Sequence, residues 1–291
     1  VSDPTSNLTH PHHRRGVLLM IASAACFTVN VLLVRGLSSV ETVNVWLVSC
    51  VRFIAGIAVL FILYRRECEY GRLFRHRKLA ARGIVGSAGV YAFYLTIIHL
   101  GAGRATFINN TYVIFGAILA VWMLGEKFHR ALAIGSVAAL AGLALLTDAF
   151  GAGPRANVYD LVAILGALGS AYIVVTIRQL HATEHTSTIF AAQCVYGLIL
   201  CTIPALLQLQ SVSLLGWATI ALAGVFAGVG QITMTRAFRE LPVAEGSLLQ
   251  MLVPLGIAVG GAAFFQERFA PRELIGAVLI LGGTAFIAVR R

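Results

Sequence analysis

Arg52 is a permanent cation inside a long apolar stretch, residues 43–64. A guanidinium at mid-depth in lipid costs somewhere between about 2.5 and 17 kcal/mol, so it must face a bundle interior or water. There it offers a planar two-donor fork that suits a carboxylate. The alternative is a structural arginine that caps backbone carbonyls or holds neighbouring helices. Further polar side chains recur in later apolar stretches. One carries Tyr91, Tyr94 and His99, and the next opens with Asn109, Asn110, Thr111 and Tyr112. On a helix Tyr91 and Tyr94 share a face, as do Asn109 and Tyr112. Gln193, Tyr196, Gln231, Thr235, Ser247 and Gln250 follow in the second half of the chain. Together such residues would line a cavity for a polar solute with an apolar body. Asn and Thr can instead join helices, at about 0.6–2 kcal/mol per contact. Pro254 removes one backbone donor and frees a carbonyl for water, a ligand or a hinge.

The chemistry on offer is binding rather than catalysis. No Walker loop, nucleophile elbow or metal-ligand cluster appears, so neither ATP hydrolysis nor covalent chemistry is supported, and no cofactor or metal is implied. The acidic residues Glu126, Asp148, Asp160, Glu245 and Glu267 all fall near the ends of apolar runs. Proton- or sodium-coupled carriers generally need a buried carboxylate or an ion-coordinating broken helix, which makes a facilitator the simpler mechanism. His99 reads as an interface histidine, and Trp46 fits an aromatic belt as well as a cavity. Of five cysteines, four lie in apolar runs and Cys68 in a basic loop, with no CxxC pair, so they serve as small apolar residues.

These side chains must be held by membrane-crossing elements. The chain has 291 residues, 58% hydrophobic and only 12% charged, far from the range of soluble domains. After a polar tail, residues 1–15, come ten apolar runs at 16–34, 43–64, 80–99, 105–124, 131–147, 158–177, 186–207, 214–235, 243–265 and 274–289. Their lengths suit helices crossing a bilayer, whereas barrel strands are shorter and alternate in polarity. The first run is no signal peptide, because it is too long and has a counterpart in the second half. The tail carries His10, His12 and His13 and reads as a solvated surface segment. The net charge of +10 comes from bases in short loops, which points to membrane orientation and not to nucleic acid. Lys and Arg gather in the tail, in the loops after the second, fourth, sixth and eighth runs, and at the carboxyl end. Only Arg35, Arg104, Arg155, Arg268 and Arg272 fall on the other side. Both termini are therefore expected in the cytoplasm.

The chain also repeats itself. Moved forward without gaps, Gly83 falls on Gly224, Gly89 on Gly230, Leu100 on Leu241, Ala117 on Ala258 and Gly142 on Gly283. Gly125, Glu126, Lys127 and Phe128 fall on Gln266, Glu267, Arg268 and Phe269, and Gly135 on Gly276. A slightly longer offset places Cys50 on Cys194 and Arg52 on Tyr196, so the arginine is not duplicated. Each unit, 16–150 and 151–291, holds five runs. An odd number forces the second unit through the membrane upside down, which is the inverted-repeat architecture of many secondary carriers. The GxxxG pairs Gly224 with Gly228 and Gly256 with Gly260 would let helices pack closely inside the bundle. The acid–base pairs Glu126 with Lys127 and Glu267 with Arg268 read as loop anchors.

Two five-span halves, the Arg-rich loop after the second span, Arg52 with Phe53, and the Glu-then-Gly spacing before the fifth and tenth spans resemble the drug/metabolite transporter superfamily, EamA type. Within it the chain is similar to bacterial exporters of aromatic amino acids. The resemblance implies an all-α integral membrane protein in which eight spans surround a central cavity while the fifth and tenth pack outside. It implies a carrier in the bacterial inner membrane that exports small metabolites, amino acids foremost, by alternating access. The substrate is then a small molecule, the other partner the lipid bilayer, and the unit a monomer. A proton-coupled multidrug antiporter on the same fold is the alternative, and a channel or an intramembrane enzyme is the alternative of another class.

Overall fold

The computed structural model describes residues 10–42, 44–127, 129–150, 158–208, 210–266 and 270–289. Among them all regular structure is helical: α1 His10–Ser38, α2 Val45–Tyr64, α3 Arg77–Leu100, α4 Ala102–Asn110, α5 Tyr112–Leu124, α6 Arg130–Leu146, α7 Val158–Leu180, α8 Thr186–Leu207, α9 Leu214–Glu240, α10 Val243–Leu249, α11 Leu252–Phe265 and α12 Pro271–Val289. A single 3₁₀ turn, Tyr70–Arg72, lies between α2 and α3. Seven stretches are long and apolar enough to cross a membrane: 12–38, 45–64, 103–124, 158–180, 186–207, 214–240 and 243–265. α6 is apolar but shorter. Large apolar side chains such as Ile62, Trp122, Phe264 and Val278 point outward, as lipid contact requires. The protein is a multi-pass membrane protein.

The helix ends follow from local chemistry. The side chains of Asn44, His185 and Ser213 accept first-turn N–H groups of α2, α8 and α9. Gly125 closes α5 at φ +67°, and Gln266, its repeat partner, closes α11 at φ +55°. That conformation is free for glycine and strained for glutamine, so both copies share the turn though only one has the residue that suits it. Glu267, Arg268, Arg155 and the tail 1–9 lie outside the described residues.

Two apolar runs are each broken into two helices, and the breaks fall at matching points of the repeat. α10 gives way to α11 at Gln250 and Met251, four residues before Pro254, whose missing N–H cannot reach the Gln250 carbonyl. That carbonyl is not left open, because the Val253 N–H bonds it at 3.0 Å in a tightened turn. α4 gives way to α5 at Thr111 with no proline nearby. There the Asn110 amide donates to Thr106 O at 2.8 Å and the Thr111 hydroxyl to Ile108 O at 2.6 Å. Side-chain competition for backbone acceptors replaces the proline effect.

Packing follows the repeat. α1 lies along α9 and α11, α7 along α3 and α5, α2 against α8 and α9, and α3 against α8. Exchanging the two halves turns the α2–α8 pairing into itself and each of the other pairings into another of them. α2 and α8 run antiparallel: Asn44 donates to Gln208, the Phe53 ring covers Gly197, Cys194 meets Gly56, and Tyr64 faces His185. α6 and α12 also run antiparallel and approach to backbone contact. A Cβ on Gly142 would lie 2.5 Å from Gly276 O, one on Gly276 2.5 Å from Gly142 O, and one on Gly283 2.7 Å from Gly135 O. The GxxxG glycines are used inside the bundle, Gly224 and Gly228 against α2, Gly256 and Gly260 against Thr28 and Leu32 of α1.

Candidate functional site

Arg52 sits on α2 with its Cα close to Gly224 of α9, where an added Cβ would come within 3.2 Å. Its guanidinium lies over the Phe27 ring, 5.9 Å from the centroid, a favourable cation–π placement. Among the described residues no carboxylate pairs with it. It opens onto a tight cleft lined also by Phe53, Phe190, Gln193, Cys194, Ala227, Gly228 and Gln231. The cleft has no room for a water-sized sphere. α2 comes from the first half, α8 and α9 from the second, so the cleft lies between the repeats. Of the residues singled out in the sequence, Arg52, Gln193 and Gln231 meet here.

The remaining candidates fall into other groups. Gln250 is buried and donates to Met20 Sδ at 2.8 Å and Ser23 Oγ at 3.2 Å, while Ser23 Oγ donates to Gly230 O at 2.8 Å. The Tyr112 hydroxyl reaches Ser247 O at 3.4 Å, so the first-half break touches the second-half broken helix. Asn109 is half-buried on α4 with no side-chain partner among the described residues. Tyr91 stacks on Trp46, 4.4 Å between centroids, and stays 40% exposed. Tyr196 packs on Gly83 and donates to Leu73 O at 3.2 Å, beside Phe74. The side chain of Tyr94 lies outside the described residues. Pro254 stands just past the α10–α11 break. His99 stacks flat on Tyr159, 3.7 Å between centroids, an interface position.

Arg82 is the residue that reading the sequence missed. It was counted with the loop bases, but it lies within α3 at 1% exposure. Its Nη2 donates to Gln193 Oε1 at 2.8 Å, and its Nε and Nη1 are buried without a hydrogen-bond partner. Its Nη1 sits where a Cβ on Gly86 would fall, 2.3 Å away. The legible signal was the arginine with a glycine four residues on, since only a bare backbone leaves room for the folded-back fork.

Glu245 is the second difference. It lies near the end of its apolar run as expected, yet it is 2% exposed and bonds His13 Nε2 at 2.7 Å. A run end is shielded when a neighbouring helix, here α1, extends past it. Glu126 anchors a loop, as the sequence implied. It pairs with Arg178 Nε at 2.6 Å and accepts the Val243 N–H at 3.0 Å, while Arg178 also donates to Phe238 O and Leu241 O. α5, α7, α9 and α10 are thereby clasped at the end of the bundle that carries most of the bases. The same end holds an open cavity of about 750 Å³ lined by His76, Lys78, Glu126, Arg178, His181 and Arg239 among others. Burial, together with nearby Arg239, Arg178 and His185, pushes the His181 imidazole below its usual range, against the raising effect of its bond to Thr235 O.

The chain belongs to the EamA-like transporter family, whose profile matches residues 14–148 and again 157–289. The family match makes this apolar helical bundle with its repeat-spanning polar cleft a transporter rather than an enzyme. It is 25% identical over 283 residues to the pseudopaline exporter CntI of Pseudomonas aeruginosa strain UCBPP-PA14, covering 96% of both chains. It is 21% identical over 286 residues to the uncharacterized transporter YetK of Bacillus subtilis, covering 92% of this chain and 86% of that one. A crystal structure of a protein at 18% identity has the same fold, with a TM-score of 0.78 over 94% of this chain and 96% of the other.

Proposed function

We propose that the protein is a secondary transporter exporting small carboxylate-bearing metabolites, amino acids including aromatic ones foremost, across the bacterial inner membrane. The observation that carries this reading is the Arg52 guanidinium, without a carboxylate partner among the described residues, at a cleft shared by the two repeats. A charge so placed is costly in lipid and matches a carboxylate bidentately, with the Gln193 and Gln231 amides beside it for the rest of the solute. The units 16–150 and 151–291 are read as inverted five-helix repeats making ten crossings. Support comes from the exchange-symmetric packing and from the antiparallel contacts of α2 with α8 and of α6 with α12, since each pair joins equivalent helices. Alternating access follows if the two halves exchange conformations. The base-rich end is assigned to the cytoplasm, with both termini. A relative that is named an exporter supports the outward direction.

Counterflow of labelled amino acids in proteoliposomes tests the reading. Arg52→Ala should cut exchange at least tenfold, the loss of one charge-assisted bond of about 1.5–3 kcal/mol. Normal exchange by a folded Arg52→Ala protein would remove the anchor role, and exchange of cationic drugs but not amino acids would replace the substrate class. The His13–Glu245 pair favours one second reading, proton-coupled antiport, because a buried carboxylate with an imidazole partner can carry a proton. That reading requires an imposed pH gradient to drive uptake and Glu245→Gln to abolish the drive.

A further inference from the structure

Arg52 on α2 and Arg82 on α3 are guanidinia without a counter-charge among the described residues. Other arginines do find carboxylates: Arg72 pairs with Glu69 and Glu184, Arg104 with Asp160, Arg178 with Glu126 and Arg272 with Asp148. Burying a cation without an anion is strongly unfavourable, and Arg82 at 1% exposure has two nitrogens with no acceptor among the described residues. Gln193 links the two sites, because it lines the cleft of Arg52 and gives its amide oxygen to Arg82. A neutral amide oxygen is a weak partner for a guanidinium, and a carboxylate displacing it would gain a charge-assisted pair. The nearby open cavity at the base-rich end is basic as well. Lys78, one turn from Arg82 on α3, lines the open cavity together with Arg178 and Arg239, three fixed cations against the single carboxylate Glu126. Such a surface concentrates anions at this end of the bundle.

We propose that the solute carries two carboxylates, and that Arg82 is the specificity-determining residue that receives the second while Arg52 receives the first. This rests on the reading of the Arg52 cleft as the substrate site. The test compares each acid with its amide, which matches it in shape: aspartate with asparagine and glutamate with glutamine, plus 2-aminoadipate for a longer reach, all as competitors of counterflow in proteoliposomes of the full chain. The wild type should take the best acid about tenfold or more better than its amide, and Arg82→Gln should bring that ratio near one while amide exchange persists. Arg82→Lys should restore part of the preference. Wild type that exchanges the amides as well as or better than the acids overturns the proposal and leaves the transporter reading standing. Wild type that exchanges aromatic amino acids but none of these solutes overturns the proposal alone, and wild type that exchanges no amino acid at all removes both. Equal loss of acid and amide in a folded Arg82→Gln protein makes Arg82 a packing residue and overturns the proposal. The wild-type ratio decides even where the variant does not fold.

Discussion

Replacing Gly142 by alanine tests the closest helix crossing in the molecule. The added Cβ would meet Gly276 O at 2.5 Å, Leu279 Cβ at 2.8 Å and Ile280 N at 2.9 Å. Two of these atoms are backbone and cannot rotate away, so α12 must retreat by about 0.9 Å, from 2.5 to the 3.4 Å of ordinary contact. Overpacking of this kind costs about 1–3 kcal/mol. Alanine also stabilises a helix interior by about 0.8–1.0 kcal/mol relative to glycine, which would blur the result if the variant were measured alone. Gly89→Ala supplies the control. It lies inside α3 with nothing within 4 Å of its added Cβ, so it gains the propensity without the clash. The difference between the two variants isolates the contact at about 1–3 kcal/mol, or about 2–4 °C in Tm per kcal/mol. Thermal unfolding in detergent measures it. Gly283→Ala, facing Gly135 O at 2.7 Å, should resemble Gly142→Ala, because the two positions are repeat partners. If Gly142→Ala and Gly89→Ala shift Tm equally, α6 and α12 do not meet at these glycines.

Glu126→Gln keeps an acceptor for the Val243 N–H but removes the partner of the Arg178 guanidinium. It should cost about 1–3 kcal/mol, read as a lower Tm that Arg178→Ala does not lower much further when the two are combined. His181 is held neutral by burial, so its folded pKa lies below its unfolded value of 6.5. The unfolded chain therefore takes up the proton first as pH falls, and the stability contributed above about 6.5 is lost below it. His181→Gln, which can still donate to Thr235 O, should flatten the fall in Tm between neutral and mildly acidic pH. An unchanged slope would mean that another group titrates there.

The helices and their repeat were legible because a bilayer restricts what a backbone can do, and glycines fix where two helices touch. The pairs Gly135 with Gly276 and Gly142 with Gly283 were visible as spacings, and they are the atoms of the α6–α12 crossing. The α10–α11 break could be anticipated from Pro254. The α4–α5 break could not, because the run of Asn109, Asn110 and Thr111 reads equally as cavity lining or as helix glue until the acceptors of its side chains are known. Arg52 was found because it stands far inside an apolar run. Arg82 was not, because five residues from a helix start a cation is ordinarily free to reach water, and only the packing of α8 over α3 decides that it cannot. Repeat arithmetic makes Tyr196 the counterpart of Arg52 and a cavity candidate, yet its hydroxyl reaches Leu73 O, just ahead of α3. Arithmetic along a chain fixes the helix and the depth of a residue, whereas the face it presents depends on which neighbour arrives.

The contacts joining the two halves differ in kind between the outer and inner helices, and this bears on which of them can move. α6 meets α12 through backbone at glycines, where a separation of even 1 Å forfeits a quarter to a half of the dispersion contact and nothing in lipid replaces it. At the cleft the halves meet through Arg52, Gln193 and Gln231, with Arg82 tied to Gln193 by one amide oxygen. Side chains of that length can exchange one acceptor for another as helices shift, and water or a bound carboxylate can supply the replacement. A rearrangement that opens the cleft is therefore less costly if it rocks the inner helices on a fixed α6–α12 pair. The breaks at Thr111 and at Gln250–Met251 add bending points within the inner helices, because the backbone bonds there have already been replaced by side-chain and tightened-turn bonds.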